Sequence, residues 1–192
     1  ADLLARGRLL YTPDTLSLGV GWSSPLSPLT LTVDTRYMRW SEAPDPALVL
    51  DLDVGGELVD SLGLGEVIDF ASGASAFPQL YDSWSIHLGG EYWYTPHVAL
   101  RSGYGFRQSP VPAQTSVTNY VDIDSHTVSA GIGLSWPDPL NLDDTPVMFD
   151  VTMAYSVMPT QTTLKETPDD PVGSYQAGGG IFSISGSLRH DF

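Results

Sequence analysis

Apolar and polar residues alternate with a period of two along most of this chain, in seven separate runs. Leu16, Leu18, Val20 and Trp22 alternate with Thr15, Ser17, Gly19 and Gly21, and Leu29, Leu31, Val33, Thr35 and Tyr37 with Thr30, Thr32, Asp34, Arg36 and Met38. The rhythm returns over residues 84–94, 98–106, 127–136 and 147–156. In the last run Phe182, Ile184, Gly186, Leu188, His190 and Phe192 oppose Ser183, Ser185, Ser187, Arg189 and Asp191. Successive side chains of a strand point to opposite faces, so each run predicts a β-strand with one apolar and one hydrophilic face. A transmembrane β-strand has this pattern over about 9–11 residues, with its apolar face on lipid and its polar face on a lumen.

The connections discriminate between a soluble sandwich and a membrane barrel. Residues 23–28, 95–96 and 137–146 form short links, while 41–83, 108–121 and 159–177 form long ones, and the two kinds alternate. In an up-and-down sheet that places all short turns at one end. Outer-membrane barrels have short periplasmic turns and longer extracellular loops, and on that orientation the C-terminus lies on the periplasmic side. Trp22, Tyr94, Trp136 and Phe192 gather at the short-turn end and Trp40, Trp84 and Phe106 at the other, as two aromatic belts at two membrane interfaces. The predicted fold is an all-β, antiparallel, up-and-down transmembrane β-barrel domain over residues 1–192, located in the bacterial outer membrane. Residues 3–11 qualify as an eighth strand or not at all. Within the long acidic extracellular loop 41–83, residues 48–54 alternate like a strand, which extends the preceding hairpin beyond the membrane. Leu58, Val59, Leu62, Val67 and Ile68 could line a short helix there.

Composition narrows the chemistry. With 8 Lys and Arg against 23 Asp and Glu the net charge is −15, a surface that repels phosphate backbones, so nucleic acid is excluded as a partner. The chain has no Cys, hence no disulfide framework, thiolate zinc cluster or thiol nucleophile. No apolar run reaches the roughly 18 residues of a transmembrane helix, and no signal peptide remains at the start. An enzyme is not expected, and no cofactor is implied. His126 stands beside Ser125 and Asp124, but strand neighbours face opposite ways; His87 and Glu91 share a face too far apart to bond. His97 falls at a turn and His190 on the apolar stripe.

Two stretches make the sequence recognisable. Phe106-Arg107-Gln108-Ser109-Pro110-Val111-Pro112-Ala113-Gln114 and Asp122-Ile123-Asp124-Ser125-His126-Thr127-Val128-Ser129-Ala130-Gly131 strongly resemble the FadL family of outer-membrane transporters of long-chain fatty acids and other hydrophobic compounds. Leu100-Arg101-Ser102-Gly103-Tyr104 and Tyr37-Met38-Arg39-Trp40-Ser41 are similar to the same family, and the resemblance runs from about residue 14 to 192. It implies the C-terminal half of a fourteen-stranded barrel, without the family's N-terminal plug. It also implies channel-type passive diffusion, with capture outside and release laterally or into the periplasm. Seven or eight strands leave open sheet edges, which hydrocarbon does not tolerate. The edges must be closed by a missing half, by a second chain or copy, or by the strands themselves as a narrow barrel with little lumen, a structural or assembly barrel without transport.

The polar face carries Asp34, Arg36, His87, Glu91, Arg101, Arg107, Asp150, Arg189 and Asp191. Read plainly, these form a lumenal charge network that braces the wall. The functional alternative is that Arg101 or Arg107, beside the Ser-Pro-Val-Pro loop, meets a ligand carboxylate bidentately. Loop 41–83 has nine acids and no cation, and is a solvated loop unless Leu58, Leu62, Leu64, Val67, Ile68 and Phe70 form an apolar capture surface. The acid pairs Asp51/Asp53, Asp122/Asp124 and Asp169/Asp170 lack the spacing of a calcium loop, so no metal site is expected. Expected partners are outer-membrane lipid and lipopolysaccharide, hydrophobic small molecules, and the barrel-assembly machinery through the terminal strand ending at Phe192.

Overall fold

The computed structural model describes residues 2–6, 11–44, 49–53, 77–116, 118–137, 145–166 and 170–190. Seven strands form one antiparallel sheet in chain order: β2 (Thr15–Ser23), β3 (Leu29–Met38), β5 (Ser83–Thr95), β6 (Val98–Arg107), β7 (Ser125–Trp136), β8 (Val147–Thr163) and β9 (Tyr175–Arg189). All seven period-two runs therefore become strands of a single up-and-down sheet. β2 and β9 are its two edges.

Residues 2–6 do not add an eighth wall strand. β1 (Asp2–Arg6) pairs with β4 (Val49–Asp53) in a separate two-stranded sheet, so the alternation over 48–54 does not continue the β2–β3 hairpin as expected. Local alternation marks a strand but carries no information about its partner.

Register keeps the two faces apart across the sheet. Val33 opposes Val20 on one side and Leu88 on the other; Leu88 continues to Tyr104, Val128, Tyr155 and Phe182. One residue of slip anywhere would have mixed the faces. The apolar face covers nothing: Leu16 is 72% exposed, Leu188 70% and Ile184 65%. Among the described residues the only buried hydrophobics are Ala99 and Ile123. A water-soluble domain of this size would bury such a face in its core.

Aromatic side chains border the apolar face at the long-loop end. Trp84 and Phe106 pack at 5.0 Å, Phe106 and His126 at 5.0 Å, and Tyr104 Oη bonds His126 Nδ1 at 2.8 Å. Trp136 marks the other end of β7, ten residues from His126. That is about 33 Å of strand, or about 25 Å along the normal at a tilt near 40°, the height of a membrane barrel's apolar band.

One connection is shorter than the sequence suggests. β8 and β9 run on past the aromatic border, so the loop expected over 159–177 shrinks to residues 164–174. The ladder shifts register between Met158 and Gln161, around Pro159, which has no N–H to donate. Gly178 lies against that shift, where a Cβ would stand 2.7 Å from Thr160 Cα. The proline that reads as a loop signal is instead absorbed in a bulge.

Candidate functional site

The polar face holds its charges in separate clusters. Asp34 and His87 are opposite each other on β3 and β5, with Oδ1 3.1 Å from Nδ1. Arg101 on β6 lies between two acids: its Nε donates to Glu91 Oε2 at 2.7 Å, and its Nη1 to Asp150 Oδ1. Reaching Asp150 means crossing β7, and Gly133 leaves the room. A Cβ there would stand 2.7 Å from Asp150 Oδ1 and 2.9 Å from Arg101 Nη1. Arg189 Nη2 meets Met148 Sδ at 2.8 Å. Arg36 is exposed and has no carboxylate in salt-bridge reach among the described residues. The structure thus joins Asp34 to His87 and Glu91 to Arg101 and Asp150, and does not bring Arg36 into either group.

Arg107 closes the end of β6 and takes part in a structured loop. Its Nη1 and Nη2 donate to Asp122 Oδ2 and Oδ1 at 2.9 and 2.7 Å, and Nη2 also reaches Ile123 O at 3.3 Å. The bidentate guanidinium, with help from Ser109, holds the Asp122 carboxyl below the usual carboxylate range despite its partial burial. Residues 108–116 and 118–124 are held by specific hydrogen bonds. Ser109 N donates to Asp124 Oδ1 at 2.8 Å, Ser109 Oγ to Asp122 O at 3.0 Å, and Tyr81 N to Pro110 O at 2.8 Å. From the β8–β9 hairpin, Lys165 Nζ donates to Ser116 O and Thr118 O at 2.6 and 2.5 Å and pairs with Asp170 at 3.3 Å. Both side chains of that pair are sealed from solvent, 2% and 0% exposed.

Between this loop and the strand ends lies an apolar pocket of about 390 Å³. Its walls are Met38, Trp40, Phe77, Leu80, Val111 and Tyr120, with Phe77 and Tyr120 edge to face at 5.5 Å. The ionic groups in the lining, Arg107 and Asp122, are closed on each other, and the Ser83 hydroxyl is shut away from solvent. Arg107 also borders a second cavity of about 330 Å³ that follows the polar face past His87, Gly103, Thr127 and Ser129. A hydrophobic molecule fits the outer pocket by shape and polarity, at a volume usual for small-molecule sites of roughly 300–1,000 Å³.

Next in sequence to the pocket residues Trp40 and Met38, Ser41 N and Tyr37 Oη donate to Asp82, at 2.9 and 2.5 Å. Those bonds, Ser41 first and Tyr37 second, lower its pKa to about 2. A carboxyl lowered in the folded state contributes stability above its unfolded pKa, near 3.9, and loses it as pH falls through the folded value. The seating of the 40–42 turn is therefore expected to hold unchanged from pH 7 to about pH 4 and to release as pH falls towards about 2. Trp40 fluorescence follows this, and Asp82→Asn should abolish the transition.

Of the residues expected at the site, Arg107 lines the pocket and Arg101 lies deeper, on the polar face. Leu58, Leu62, Val67 and Ile68 fall outside the described residues. In the sequence Asp122 stands in an acid pair with Asp124; the structure makes it the partner of Arg107. The available signal was the position of both residues at the neck of one loop, beside the Arg107–Ser125 pairing. Nothing in the sequence pointed to Lys165.

Comparisons with known proteins agree with this architecture. The chain is 27% identical over 181 residues to "Alkane uptake protein A" of Marinobacter nauticus, covering 92% of this chain and 39% of the relative. The chain thus spans about two-fifths of that relative's length. Residues 9–178 match the family described as outer membrane protein transport protein (OMPP1/FadL/TodX), and with a one-sheet, lipid-ready wall over the same span, the chain belongs to that family of outer-membrane β-barrels.

Proposed function

We propose that this chain supplies part of the wall of an outer-membrane channel through which hydrophobic compounds diffuse passively, and that the 390 Å³ pocket receives them at the long-loop, extracellular end. The observation that carries this reading is an apolar pocket with internally closed charges, adjoining a cavity that follows the polar face. Long-chain fatty acids and uncharged hydrocarbons both have the apolar length to use it. The relative named for alkane uptake favours hydrocarbons. Leu58, Leu62, Val67 and Ile68 would add an outer capture surface, and Arg101 would brace the lumen wall. The long loops would lie on the extracellular side and the short turns on the periplasmic side. The edges of β2 and β9 would be closed by further strands of the complete protein or by a second chain, because unpaired strand edges cost several kcal/mol per group in hydrocarbon.

The test is uptake of labelled hexadecane and oleate by liposomes holding the complete protein that carries these residues. Uptake should saturate and should not change when ion gradients are dissipated. Uptake equal to that of empty liposomes would leave a wall with a structural role only.

A further inference from the structure

Arg107 is the cation at the pocket, and it is already occupied. Asp122 satisfies its guanidinium bidentately at 2.9 and 2.7 Å, and Asp124, which accepts Ser109 N at 2.8 Å, adds a second negative charge nearby. The next cation along the polar face, Arg101, is likewise outnumbered by Glu91 and Asp150. Arg36 does not line the pocket. A ligand carboxylate entering here would have to displace Asp122, and would leave two or three anions around one guanidinium. A hydrocarbon need disturb none of these groups.

We propose that Asp122 is a specificity-determining residue: by occupying Arg107 it makes the outer pocket select uncharged hydrocarbon chains and reject carboxylates of the same length. This rests on reading the pocket as a site for hydrophobic compounds. Asp122 suits the role because it belongs to the loop and not to the barrel wall. Its position is also fixed from the backbone, since Ser109 Oγ donates to the Asp122 carbonyl at 3.0 Å. Freed of Asp122, the same guanidinium would offer an incoming carboxylate two parallel N–H donors, the strongest geometry available for that group.

Binding of dodecane, dodecanoate and methyl dodecanoate to the complete protein in nanodiscs at pH 7.5, read by tryptophan fluorescence with Trp40 in the pocket wall, tests this. The wild type should bind dodecane and the uncharged ester, and dodecanoate at least about tenfold more weakly. In Asp122→Asn, the affinity for dodecanoate relative to dodecane should rise by about tenfold or more, and adding Arg107→Met should erase the gain. Dodecanoate bound by the wild type as tightly as the ester overturns the proposal without needing any variant. An unchanged affinity for dodecanoate relative to dodecane in a heat-modifiable, folded Asp122→Asn protein also overturns it. Failure of the wild type to bind dodecane or the ester would instead refute the pocket as a hydrophobic site, and the specificity claim with it.

Discussion

Arginine in place of Ile132 is expected to destabilise the barrel by about 2–4 kcal/mol, whereas arginine in place of Ser129, three residues away on the same strand, should cost about 1 kcal/mol or less. Ile132 sits mid-strand in β7 on the apolar face, between Leu100 and Val151, and is 50% exposed. Were that exposure to water, a long cation would be accommodated with little change, since surface substitutions away from special features stay within about 0.5 kcal/mol. Facing hydrocarbon, the guanidinium must shed its hydration or drag water and headgroups towards the midplane. Ser129 points to the other face and borders the 330 Å³ cavity, so its arginine has both room and a polar setting. Reversible denaturant unfolding in detergent or bilayers, with gel mobility as the folding control, gives both numbers. Equal costs would contradict the assignment of faces, and a larger cost at Ser129 would invert it.

The strands themselves were legible in the sequence because a two-faced sheet imposes period two, and here the solvent on one face is lipid, so the apolar positions admit few exceptions. The aromatic borders were legible for the same reason. Partners and ends were less so. Residues 48–54 alternate, but alternation is the same whichever strand lies alongside, and β4 pairs with β1. Pro159 reads as a loop signal because it cannot donate to a ladder. The structure places it in a register shift opposite Gly178, where the missing donor is tolerated. At the candidate site, residue type and face predicted where Arg101 and Arg107 lie, but not which acids hold them. Ion pairing depends on which strand ends and loop necks converge. Asp122 meets Arg107 because the β6–β7 loop folds back on itself, and Asp150 meets Arg101 only across a residue that has no side chain.

That last contact predicts that Gly133→Ala behaves as an electrostatic mutation although it adds only a methyl group. The new Cβ would fall 2.7 Å from Asp150 Oδ1 and 2.9 Å from Arg101 Nη1, so one of these side-chain ends must shift. Asp150 has a short side chain on β8, and Arg101 is also bonded to Glu91, so a shift by either weakens the cluster. Removing the cation with Arg101→Met leaves Glu91 and Asp150 on one face with no counter-charge. Breaking a fully buried pair costs about 3–5 kcal/mol, but these groups are about one-third exposed on the polar face, so we expect about 1–2 kcal/mol. Gly133→Ala should cost a similar amount, and the double variant little more than either alone, because both substitutions remove the same interaction. Denaturant unfolding of the four proteins closes the cycle. Additive costs would mean that Gly133 is required for strand packing independently of the ion pair, and that the Glu91–Arg101–Asp150 cluster does not tie β5, β6 and β8 together across the wall. A near-zero sum for the second substitution would show that one guanidinium, passing over a gap left by glycine, couples three strands of the barrel.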